Sequence, residues 1–548
     1  METMPVPEWG TIPRMLRDLA ARHGDAEVVG GAAPAPLTLA ELAARAAEVA
    51  RGLIALGVRP GDRVAVWAPN TPAWVVTAYG VWDAGAIIAP LSIRFKGAEA
   101  ARFLREVGAK VLVVAAGEPG ADCLRMLTEA GGGPGAGRPC RDLAALEHVI
   151  SHGPVPPGPG TQAWDDFLAG GAAVATDAAE ERALAVDPDD LAEIMATSGT
   201  TGTPKGVMLH HAQLLRGYWD WAEIVTLGPR DRYPIIAPFS HGFGLNAGLL
   251  ACVLKRATML PIARFAPDEL MTMIERERVS VLAGPPTLFF RVLDELGGHD
   301  VSSLRVAICG AAAVPPELIR RLLDRVGLER MINAYGLMEG TVVSMTRADD
   351  PVEVVAGSAG RAVPGVSIGI VDDDGKELPP GERGEIVIGG YGVMRGYWND
   401  PEQTAAVIDE RGRLRTGDIG VLDERGNLTI VDRKKEMFIV GGFNVYPAEV
   451  EALLLRHPGL AQAAVVGVPA AGPAAAGRSE AGWAFVVPAP GAAVEPDAVI
   501  EWARANMSDY KVPREVIVVD ALPANVNGKV DKPALRAMAL SGSGGERG

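Results

Sequence analysis

Hydrophobic and polar positions follow one another along this chain in a recurring order of helix and strand. Apolar residues recur at helical spacing over 39–56, and 62–67 then has the pattern of a strand after the turn Pro60-Gly61. The same order is found three more times, with helix and strand segments at 99–107 and 111–115, at 267–278 and 279–282, and at 316–326 and 331–334. This rhythm predicts βαβ units and parallel sheets covered by helices.

Three later regions depart from this rhythm. The segment 131–160 is rich in Gly and Pro, so we expect a surface loop or an insertion there. From 363 to 430, short alternating segments separated by Asp-Gly, Pro-Gly and Arg-Gly turns predict an antiparallel β region. After the charged run 432–436, the pattern predicts a compact α+β domain, with helices at 447–456 and 497–507 and strands at 461–468 and 482–487.

These patterns predict an α/β protein with a large N-terminal domain and a small C-terminal one. We expect the N-terminal domain at 1–432, the α+β C-terminal domain at 433–540 and a disordered tail at 541–548. The length of 548 residues supports this division, because it is too great for a single core.

Composition narrows the classes of function. The content of 48% hydrophobic and 22% charged residues is typical of soluble globular proteins, and the four cysteines show no metal or redox spacing. The N-terminus has no apolar signal segment, and the longest uncharged stretch, 233–254, contains prolines and polar residues that argue against a membrane span. We therefore expect a cytoplasmic location. The net charge of −16 argues against nucleic acid as a partner, but not against small anions.

The strongest chemical signal is the run 197–206, Thr-Ser-Gly-Thr-Thr-Gly-Thr-Pro-Lys-Gly. Its backbone N–H groups, hydroxyls and one cation can hold a polyphosphate. It is not a Walker A loop, because Pro204 precedes Lys205 and Gly206 follows it. The run resembles the phosphate loop of the acyl-adenylate-forming enzymes, which include acyl-CoA synthetases, peptide-synthetase adenylation domains and luciferases. The resemblance extends from about residue 37 to about residue 536, through further motifs in the family's order.

A second motif, at 333–341, resembles the family's Y-G-x-T-E segment. The resemblance implies that Tyr335 stacks on adenine and that Glu339 helps to hold the Mg²⁺ that bridges the phosphates, for which a carboxylate is a suitable ligand. Met338 stands where the family has a threonine that donates to the α-phosphate. Since a thioether cannot donate, we expect a loss of about 1.5–3 kcal/mol that slows the enzyme without abolishing its activity.

Shorter motifs complete the series. By resemblance, 310–315 meets adenine and the acyl group, and 238–244 places His241 at the entrance for the carboxylate. The segment 415–418 resembles the ribose-binding segment, in which Asp418 accepts both ribose hydroxyls. Arg433 adds a ribose or phosphate contact, Lys435 matches the hinge, and 441–451 resembles the loop that guides the pantetheine arm of coenzyme A. The segment 522–532 resembles the C-terminal motif whose lysine, here Lys529, bridges the carboxylate and the α-phosphate.

The resemblance thus implies a full set of site residues. The residues expected to contact ATP or AMP are Thr197, Ser198, Gly199, Thr200, Thr201, Gly202, Lys205, Gly310, Ala311, Ala312, Asn333, Ala334, Tyr335, Gly336, Met338, Glu339, Asp418, Arg433 and Lys529. The acyl pocket is expected to comprise His241, Phe243, Ala247, Gly310, Ala334, Gly336 and Leu337. The expected coenzyme A contacts are Gly441, Gly442 and Phe443, and the expected metal ligands are Thr197 and Glu339. The catalytic residues in this set are Lys529, Lys205, His241 and Glu339.

The function implied is that of an AMP-forming acyl-CoA ligase that uses ATP and Mg²⁺. A carboxylic acid and ATP give an acyl adenylate and pyrophosphate, and the thiol of coenzyme A then gives acyl-CoA and AMP, with the C-terminal domain swinging about Lys435 between the steps. Small residues in the expected pocket favour a medium- or long-chain, aryl or alicyclic (steroid-fragment-like) acid over acetate.

Other functions remain open at this point. The chain could be a stand-alone adenylating enzyme that loads a carrier protein, or a non-catalytic nucleotide-binding homologue, which Met338 suggests. A nicotinamide oxidoreductase rests only on a formal dinucleotide fingerprint at 242–247, which we attribute to coincidence because bulky Leu245 and Asn246 fall within it. The identity of the acid, a homodimer and the pathway are also left open.

Overall fold

The computed structural model describes residues 5–31, 36–115, 123–132, 140–152, 161–197, 205–310, 314–434, 436–440, 443–469, 480–525 and 529–542. The chain divides into two compact units. The first comprises Met1–Ile368 and Ile388–Leu414, and the second comprises Gly369–Val387 and Arg415–Gly548.

The first unit contains an eight-stranded sheet that carries the ends of the phosphate loop. Its strands, in spatial order, are β19 (Gly396–Tyr397), β9 (Lys205–His210), β8 (Leu191–Thr197), β4 (Ile87–Pro90), β3 (Arg63–Trp67), β5 (Val111–Ala115), β6 (His148–His152) and β7 (Thr161–Ala163). From β8 to β7 the strands are parallel, whereas β9 and β19 are added antiparallel at one edge. Helices lie along the chain between β3 and β4, between β4 and β5 and between β5 and β6, as the sequence rhythm predicts.

Two further sheets belong to the first unit. The five-stranded sheet runs in the order β12 (Val281–Ala283), β13 (Val306–Gly310), β14 (Arg330–Leu337), β15 (Thr341–Met345) and β16 (Arg361–Ala362). The four-stranded sheet runs in the order β10 (Arg232–Ile235), β11 (Thr258–Pro261), β1 (Glu27–Val29) and β2 (Leu37–Thr38). Apolar residues of the five-stranded sheet, such as Ala307, pack with Phe289 and Leu318 of the neighbouring helices in one buried cluster.

The helices of the first unit are short to medium in length. The α-helices are α1 (Ile12–His23), α2 (Leu39–Ala55), α3 (Pro72–Asp83), α4 (Gly97–Val107), α5 (Cys123–Ala130), α6 (Trp164–Gly170), α7 (Thr176–Leu184), α8 (His211–Val225), α9 (Ala251–Lys255), α10 (Leu270–Glu277), α11 (Pro286–Asp294), α12 (Pro316–Arg321), α13 (Val352–Gly357) and α14 (Pro401–Val407). Two 3₁₀ turns (Gly171–Ala173 and Pro267–Glu269) and two π-helical segments (Phe243–Leu250 and Leu322–Val326) accompany them. None of the helices in the described residues is both long and apolar enough to cross a membrane.

The second unit combines an antiparallel region with a small α+β region. Its strands are β17 (Val366–Val371), β18 (Arg383–Gly390), β20 (Leu414–Leu422) and β21 (Leu428–Arg433) in one sheet, β22 (Phe438–Val440) and β23 (Phe443–Val445) in a hairpin, and β24 (Leu460–Pro469), β25 (Glu480–Pro488) and β26 (Glu515–Val518) in a third sheet. The first residues of β17, the last of β18 and the first of β20 belong to the first unit. The helices are α15 (Pro447–Leu454), α16 (Pro496–Asn506) and α17 (Lys532–Gly542), with a 3₁₀ turn at Asp509–Lys511.

The α+β region buries both faces of its sheet. Val465 packs in a cluster with residues of α15 and α16, whereas its neighbour Val466 packs in a second cluster with Leu535 of α17. Successive side chains of a strand point to opposite faces, so the apolar run of β24 requires helices on both sides.

The fold class predicted from the sequence is confirmed, with one local error. Helix α2 begins one residue after its N-cap Thr38, whose side chain and that of Glu41 form a reciprocal capping box. The expected surface loop at 131–160 was wrong for His148–His152, which pairs parallel with β5 as a buried strand. The Gly and Pro residues around it concealed a five-residue strand whose central residues, Val149 and Ile150, are buried.

Candidate active site

The two ends of the phosphate loop are joined by strand pairing. Thr197 at the end of β8 faces Lys205 at the start of β9, and the Thr197 hydroxyl lies 3.4 Å from the Lys205 carbonyl oxygen. Gly206 follows Lys205 at a position with no room for a side chain, because a Cβ there would come within 2.7 Å of the Ile194 side chain. The loop is therefore held at its base as a hairpin. Five of the predicted phosphate contacts, Ser198, Gly199, Thr200, Thr201 and Gly202, lie outside the described residues.

The Lys205 ammonium contacts two neutral groups. Its Nζ donates a hydrogen bond of 2.7 Å to Oε1 of Gln403 on α14, and it lies 4.7 Å from the centroid of the Tyr397 ring. A cation at this distance from an aromatic face is attracted by the ring. Tyr397 is brought there because β19 pairs with β9 in a register that sets Tyr397 opposite Val207.

The hydroxyl of the same tyrosine contacts Glu339. It donates a hydrogen bond of 3.1 Å to Glu339 Oε1, and burial together with the Glu339 charge raises the pKa of Tyr397 above its ordinary value. Tyr397 therefore remains a protonated donor. Glu339 lies in the turn between β14 and β15, and the Met394 N–H donates to its carbonyl oxygen at 2.8 Å. The predicted phosphate lysine and the predicted metal ligand thus contact one tyrosine, which the sequence analysis did not identify.

The predicted adenine-binding residues lie at the ends of β13 and β14. Gly310 pairs with Ala334, and the pairing of β14 with β15 shifts register between Tyr335 and Gly336. The Asn333 side-chain amide is buried and donates to the carbonyl oxygens of Val355 and Ser358, at 3.3 and 2.9 Å. Asn333 therefore holds its strand against the end of α13. Ala311 and Ala312 lie outside the described residues.

The predicted acyl segment forms an exposed turn followed by a π-helix. The Phe243 N–H donates to His241 Nδ1 at 3.2 Å, which leaves Nε2 as the protonated nitrogen in the neutral ring. Phe243 packs edge-on against Trp221 at 6.3 Å, and Ala247 is buried. A Cβ on Gly244 would overlap the Pro238 carbonyl oxygen, so the close approach of this turn requires glycine.

Met338 connects the two predicted parts of the acyl pocket. A Cβ on Gly242 would lie 2.9 Å from the Met338 sulfur, so this side chain lies against the turn that carries His241. Leu337, a predicted pocket residue next to Met338 in the chain, is the last residue of β14. The methionine that replaces the family's threonine therefore has a packing partner in the acyl segment.

A buried carboxyl lies beneath this region and was not predicted. Glu193 of β8 is fully buried, and its Oε1 accepts a 2.8 Å hydrogen bond from Asn246 Nδ2 of the π-helix. Burial raises the pKa of Glu193 to about 8, although the hydrogen bond from Asn246 opposes this effect. Glu193 thus links the strand that ends at Thr197 to the segment that carries Phe243 and Ala247.

The second unit brings three other predicted residues together. Asp418 and Arg433 pair across β20 and β21, with the Arg433 Nε 3.3 Å from the Asp418 carboxylate. Desolvation, and then the charge of Arg433, lower the pKa of Lys529, whereas Asp418 and Glu436 raise it. Lys529 is therefore close enough to Arg433 and Asp418 to interact with their charges. Its backbone N–H donates to the Asn525 side chain at 3.1 Å.

The structure describes little of the predicted hinge and of the predicted coenzyme A contacts. Lys435, Gly441 and Gly442 lie outside the described residues, and only the backbone of Phe443 is described, at the start of β23. The helix after this loop begins at Pro447, as expected from the preference of proline for a first helical position.

Comparison with known protein families agrees with this arrangement of motifs. The family model described as "AMP-binding enzyme" matches residues 16–398, and the model of the "AMP-binding enzyme C-terminal domain" matches 449–529. The chain belongs to the AMP-binding enzymes. It is an AMP-forming acyl-CoA ligase.

Several known enzymes are similar to this chain over nearly its whole length. A 3-[(3aS,4S,7aS)-7a-methyl-1,5-dioxo-octahydro-1H-inden-4-yl]propanoyl:CoA ligase of Rhodococcus jostii is 41% identical, over 96% of this chain and 98% of its own. A feruloyl-CoA synthase of an Amycolatopsis species is 36% identical, over 94% and 96%. Among solved structures, ATP-bound MatB from Rhodopseudomonas palustris is 29% identical with a TM-score of 0.81, covering 96% of this chain and 98% of that one.

A structure of an anthranilate CoA ligase in complex with anthranoyl-AMP is also similar to this AMP-binding enzyme. It is 25% identical with a TM-score of 0.84, and the match covers 99% of both chains. The fold is therefore shared with enzymes of both adenylate formation and thioester formation.

Proposed function

We propose that this ligase activates an alicyclic or aromatic carboxylic acid and transfers it to coenzyme A, with Lys205 and Lys529 as the cations of the adenylation step and Glu339 as a metal ligand. The observation that supports this proposal most directly is that Lys205 and Glu339 both contact Tyr397. The Lys205 Nζ lies 4.7 Å from the centroid of the ring, and Glu339 Oε1 lies 3.1 Å from the hydroxyl. A cation and a hard-oxygen ligand side by side are what a metal-bound polyphosphate requires.

The chemistry explains why cations are needed. A carboxylate is a poor electrophile, and its attack on the α-phosphate of ATP brings two anions together. Attack forms the bond from the carboxylate oxygen to phosphorus and breaks the bond to pyrophosphate, which leaves with its electron pair. Lys205 and Lys529 lower the energy of this step by charge stabilisation and positioning, and neither needs to transfer a proton. Desolvation, and then the charge of Arg433, lower the pKa of Lys529, and binding of an anionic reactant opposes that effect.

The metal and nucleotide sites are part of the same proposal. Glu339 and Thr197 offer only oxygen donors, the type that Mg²⁺ prefers, so the residues fit this ion. Bound Mg²⁺ supplies neutralisation of phosphate charge. Asp418, which pairs with Arg433 at 3.3 Å, is proposed to accept the ribose hydroxyls, and Tyr335 is proposed to stack on adenine.

The acid class rests on the small residues of the predicted pocket and on the relatives. Gly310, Ala334 and Ala247 offer little bulk, which suits a ring. The relatives in Rhodococcus jostii and Mycobacterium tuberculosis are named for a fused-ring propanoic acid, and another relative is named for ferulic acid. We therefore propose a ring-bearing acid as substrate. A cytoplasmic location remains a proposal that rests on cysteine usage.

Two half-reactions test the roles. Lys529→Ala should reduce pyrophosphate release by about 10²–10³-fold, while thioester formation from supplied acyl adenylate continues. Lys376→Ala, which removes an exposed lysine from the same unit, is the matched control. Loss of both half-reactions in Lys529→Ala would contradict the role of this lysine.

A substrate panel tests the acid class. Pyrophosphate release is measured with a fused-ring propanoic acid, a hydroxycinnamic acid, octanoic acid and acetic acid, each with and without coenzyme A. We expect the ring-bearing acids to give the highest kcat/KM and coenzyme A to be consumed. Adenylation without coenzyme A turnover would favour a carrier protein as acceptor, and no pyrophosphate release with any acid would favour a non-catalytic homologue.

A further inference from the structure

Tyr397 contacts two groups of opposite charge. Its ring face holds the Lys205 ammonium at 4.7 Å, and its hydroxyl donates to Glu339 at 3.1 Å. Tyr397 is only 8% exposed, so its ring position is fixed by packing. Its backbone is also fixed, because the β19–β9 pairing sets Tyr397 opposite Val207, two residues beyond Lys205.

The neutrality of the contacts is the important feature. Lys205 is held by an aromatic face and by the carboxamide of Gln403, and Glu339 accepts a hydrogen bond from the phenol hydroxyl of Tyr397. A direct ion pair between Lys205 and Glu339 would have to be broken before either group met a phosphate or a metal ion, and breaking a close charge pair is costly. Neutral partners orient both groups and leave their charges available.

We infer that Tyr397 is a positioning residue of the nucleotide site, which holds Lys205 for the phosphates with its ring and Glu339 for the metal ion with its hydroxyl. This inference rests on the proposed roles of Lys205 and Glu339. The two roles of Tyr397 can be tested separately, because Tyr397→Phe deletes the hydroxyl alone, whereas Tyr397→Leu deletes the ring as well.

The chain provides a matched control in Tyr391. The guanidinium of Arg216 lies 5.2 Å from the Tyr391 ring, and the Tyr391 hydroxyl donates to Asp220 at 3.2 Å. Here too a cation, a ring and a carboxylate come together, with an additional direct Arg216–Asp220 ion pair of 2.9 Å, at residues with no proposed role in nucleotide binding. Tyr391→Phe therefore removes an equivalent hydrogen bond and reports the general effect of such a loss.

The test measures binding of a non-hydrolysable ATP analogue, α,β-methylene-ATP, by titration calorimetry with the full-length protein. Each variant is titrated once with EDTA and once with Mg²⁺, and the ratio of the two dissociation constants gives the coupling of the metal to the site. For Tyr397→Phe we expect this ratio to fall about tenfold, because a hydrogen bond to a charged group is lost, while metal-free affinity is unchanged. For Tyr397→Leu we expect metal-free affinity to fall as well, about 2–5-fold, because the cation–ring contact is lost.

The outcomes separate the inference from the proposed function. Wild-type coupling in Tyr397→Phe would overturn the inference, as would an equal loss of metal-free and Mg²⁺-dependent affinity, which would indicate a structural defect. A fall in coupling in Tyr391→Phe that matches Tyr397→Phe would overturn it too. If the wild type releases no pyrophosphate with any acid of the panel, the proposed function fails, whatever the binding results.

Discussion

The buried carboxyl of Glu193 gives a prediction about stability that the structure allows to be worked through. Burial raises its folded-state pKa to about 8, from an ordinary value of 4.5. Below pH 4.5 the group is protonated in both states and has no effect on the pH dependence. Between pH 4.5 and 8 the unfolded chain releases the proton and the folded chain retains it. The free energy of unfolding therefore falls as pH rises, by about 1.4 kcal/mol per pH unit.

The size of the effect follows from the difference between the two pKa values. About 3.5 pH units correspond to about 5 kcal/mol lost between pH 4.5 and 8, with no further loss above pH 8. Glu193→Gln removes the titration and keeps the shape, and its Oε1 can still accept from Asn246. The Gln N–H groups introduce buried donors that cost about 1–3 kcal/mol at every pH. The prediction therefore concerns how the free energy of unfolding changes with pH, and not its absolute value.

The assay is urea unfolding of wild type and Glu193→Gln from pH 5 to pH 9, followed by tryptophan fluorescence. We expect the stability of the variant relative to wild type to rise steadily from pH 5 to pH 8 and then to level off. Glu48→Gln, on the solvent-exposed side of α2, controls for the loss of one carboxylate from the net charge. A second measurement is the infrared difference spectrum at pH 7, in which wild type should show a protonated carboxyl band that Glu193→Gln lacks.

A constant difference between wild type and Glu193→Gln over pH 5–8 would refute the reasoning. It would mean that Glu193 is ionised in the folded protein at neutral pH. Absence of the carboxyl band at pH 7 would lead to the same conclusion, without any dependence on the unfolding transition.

Three further changes have defined outcomes. Gly206→Ala should lower the free energy of unfolding by about 1–3 kcal/mol in a urea titration, because its Cβ would lie 2.7 Å from Ile194, and an unchanged midpoint would contradict the close packing. Met338→Thr should leave adenylation level or raise it, and a large drop in pyrophosphate release would show that the contact with Gly242 has its own task. Lys532→Met should destabilise the second unit by about 3 kcal/mol in limited proteolysis, because two glutamates 2.8 and 2.9 Å from Nζ lose their cation; protection equal to wild type would argue against this.

Local patterns were sufficient to predict several helices and strands. Strand Val111–Ala115 is found at the predicted bounds, because it is a continuous apolar run just beyond Gly108, which ends α4 in the left-handed conformation. Helix α2 is marked by both its apolar spacing and its capping box. The π-helical form of Phe243–Leu250 has no such signal, because it depends on the close approach of Gly244 to the Pro238 carbonyl group.

The sequence motifs identified the charged groups of the candidate site, but the residues that contact these groups depend on the tertiary structure. Lys205 and Glu339 stand in recognised motifs, but Tyr397 reaches them through the antiparallel addition of a two-residue strand to β9. A two-residue strand leaves no periodic pattern in the sequence. Likewise Glu193 is the only charged residue of strand β8, and its acidity depends on burial beneath the π-helix, which is a long-range property.

Asp418 has a charged partner, whereas Lys205 and Glu339 share a neutral one, and the difference matches what each group is proposed to bind. Asp418 is buried and paired with Arg433 at 3.3 Å, and the oxygens of a carboxylate act only as acceptors, as two ribose hydroxyls require. Lys205 and Glu339 must instead meet charged partners, and a standing ion pair would compete with those partners directly. A tyrosine that contacts both groups orients them without neutralising either. A neutral side chain therefore positions the groups whose proposed ligand is ionic, whereas a charged side chain positions the group whose proposed ligand is a neutral hydroxyl.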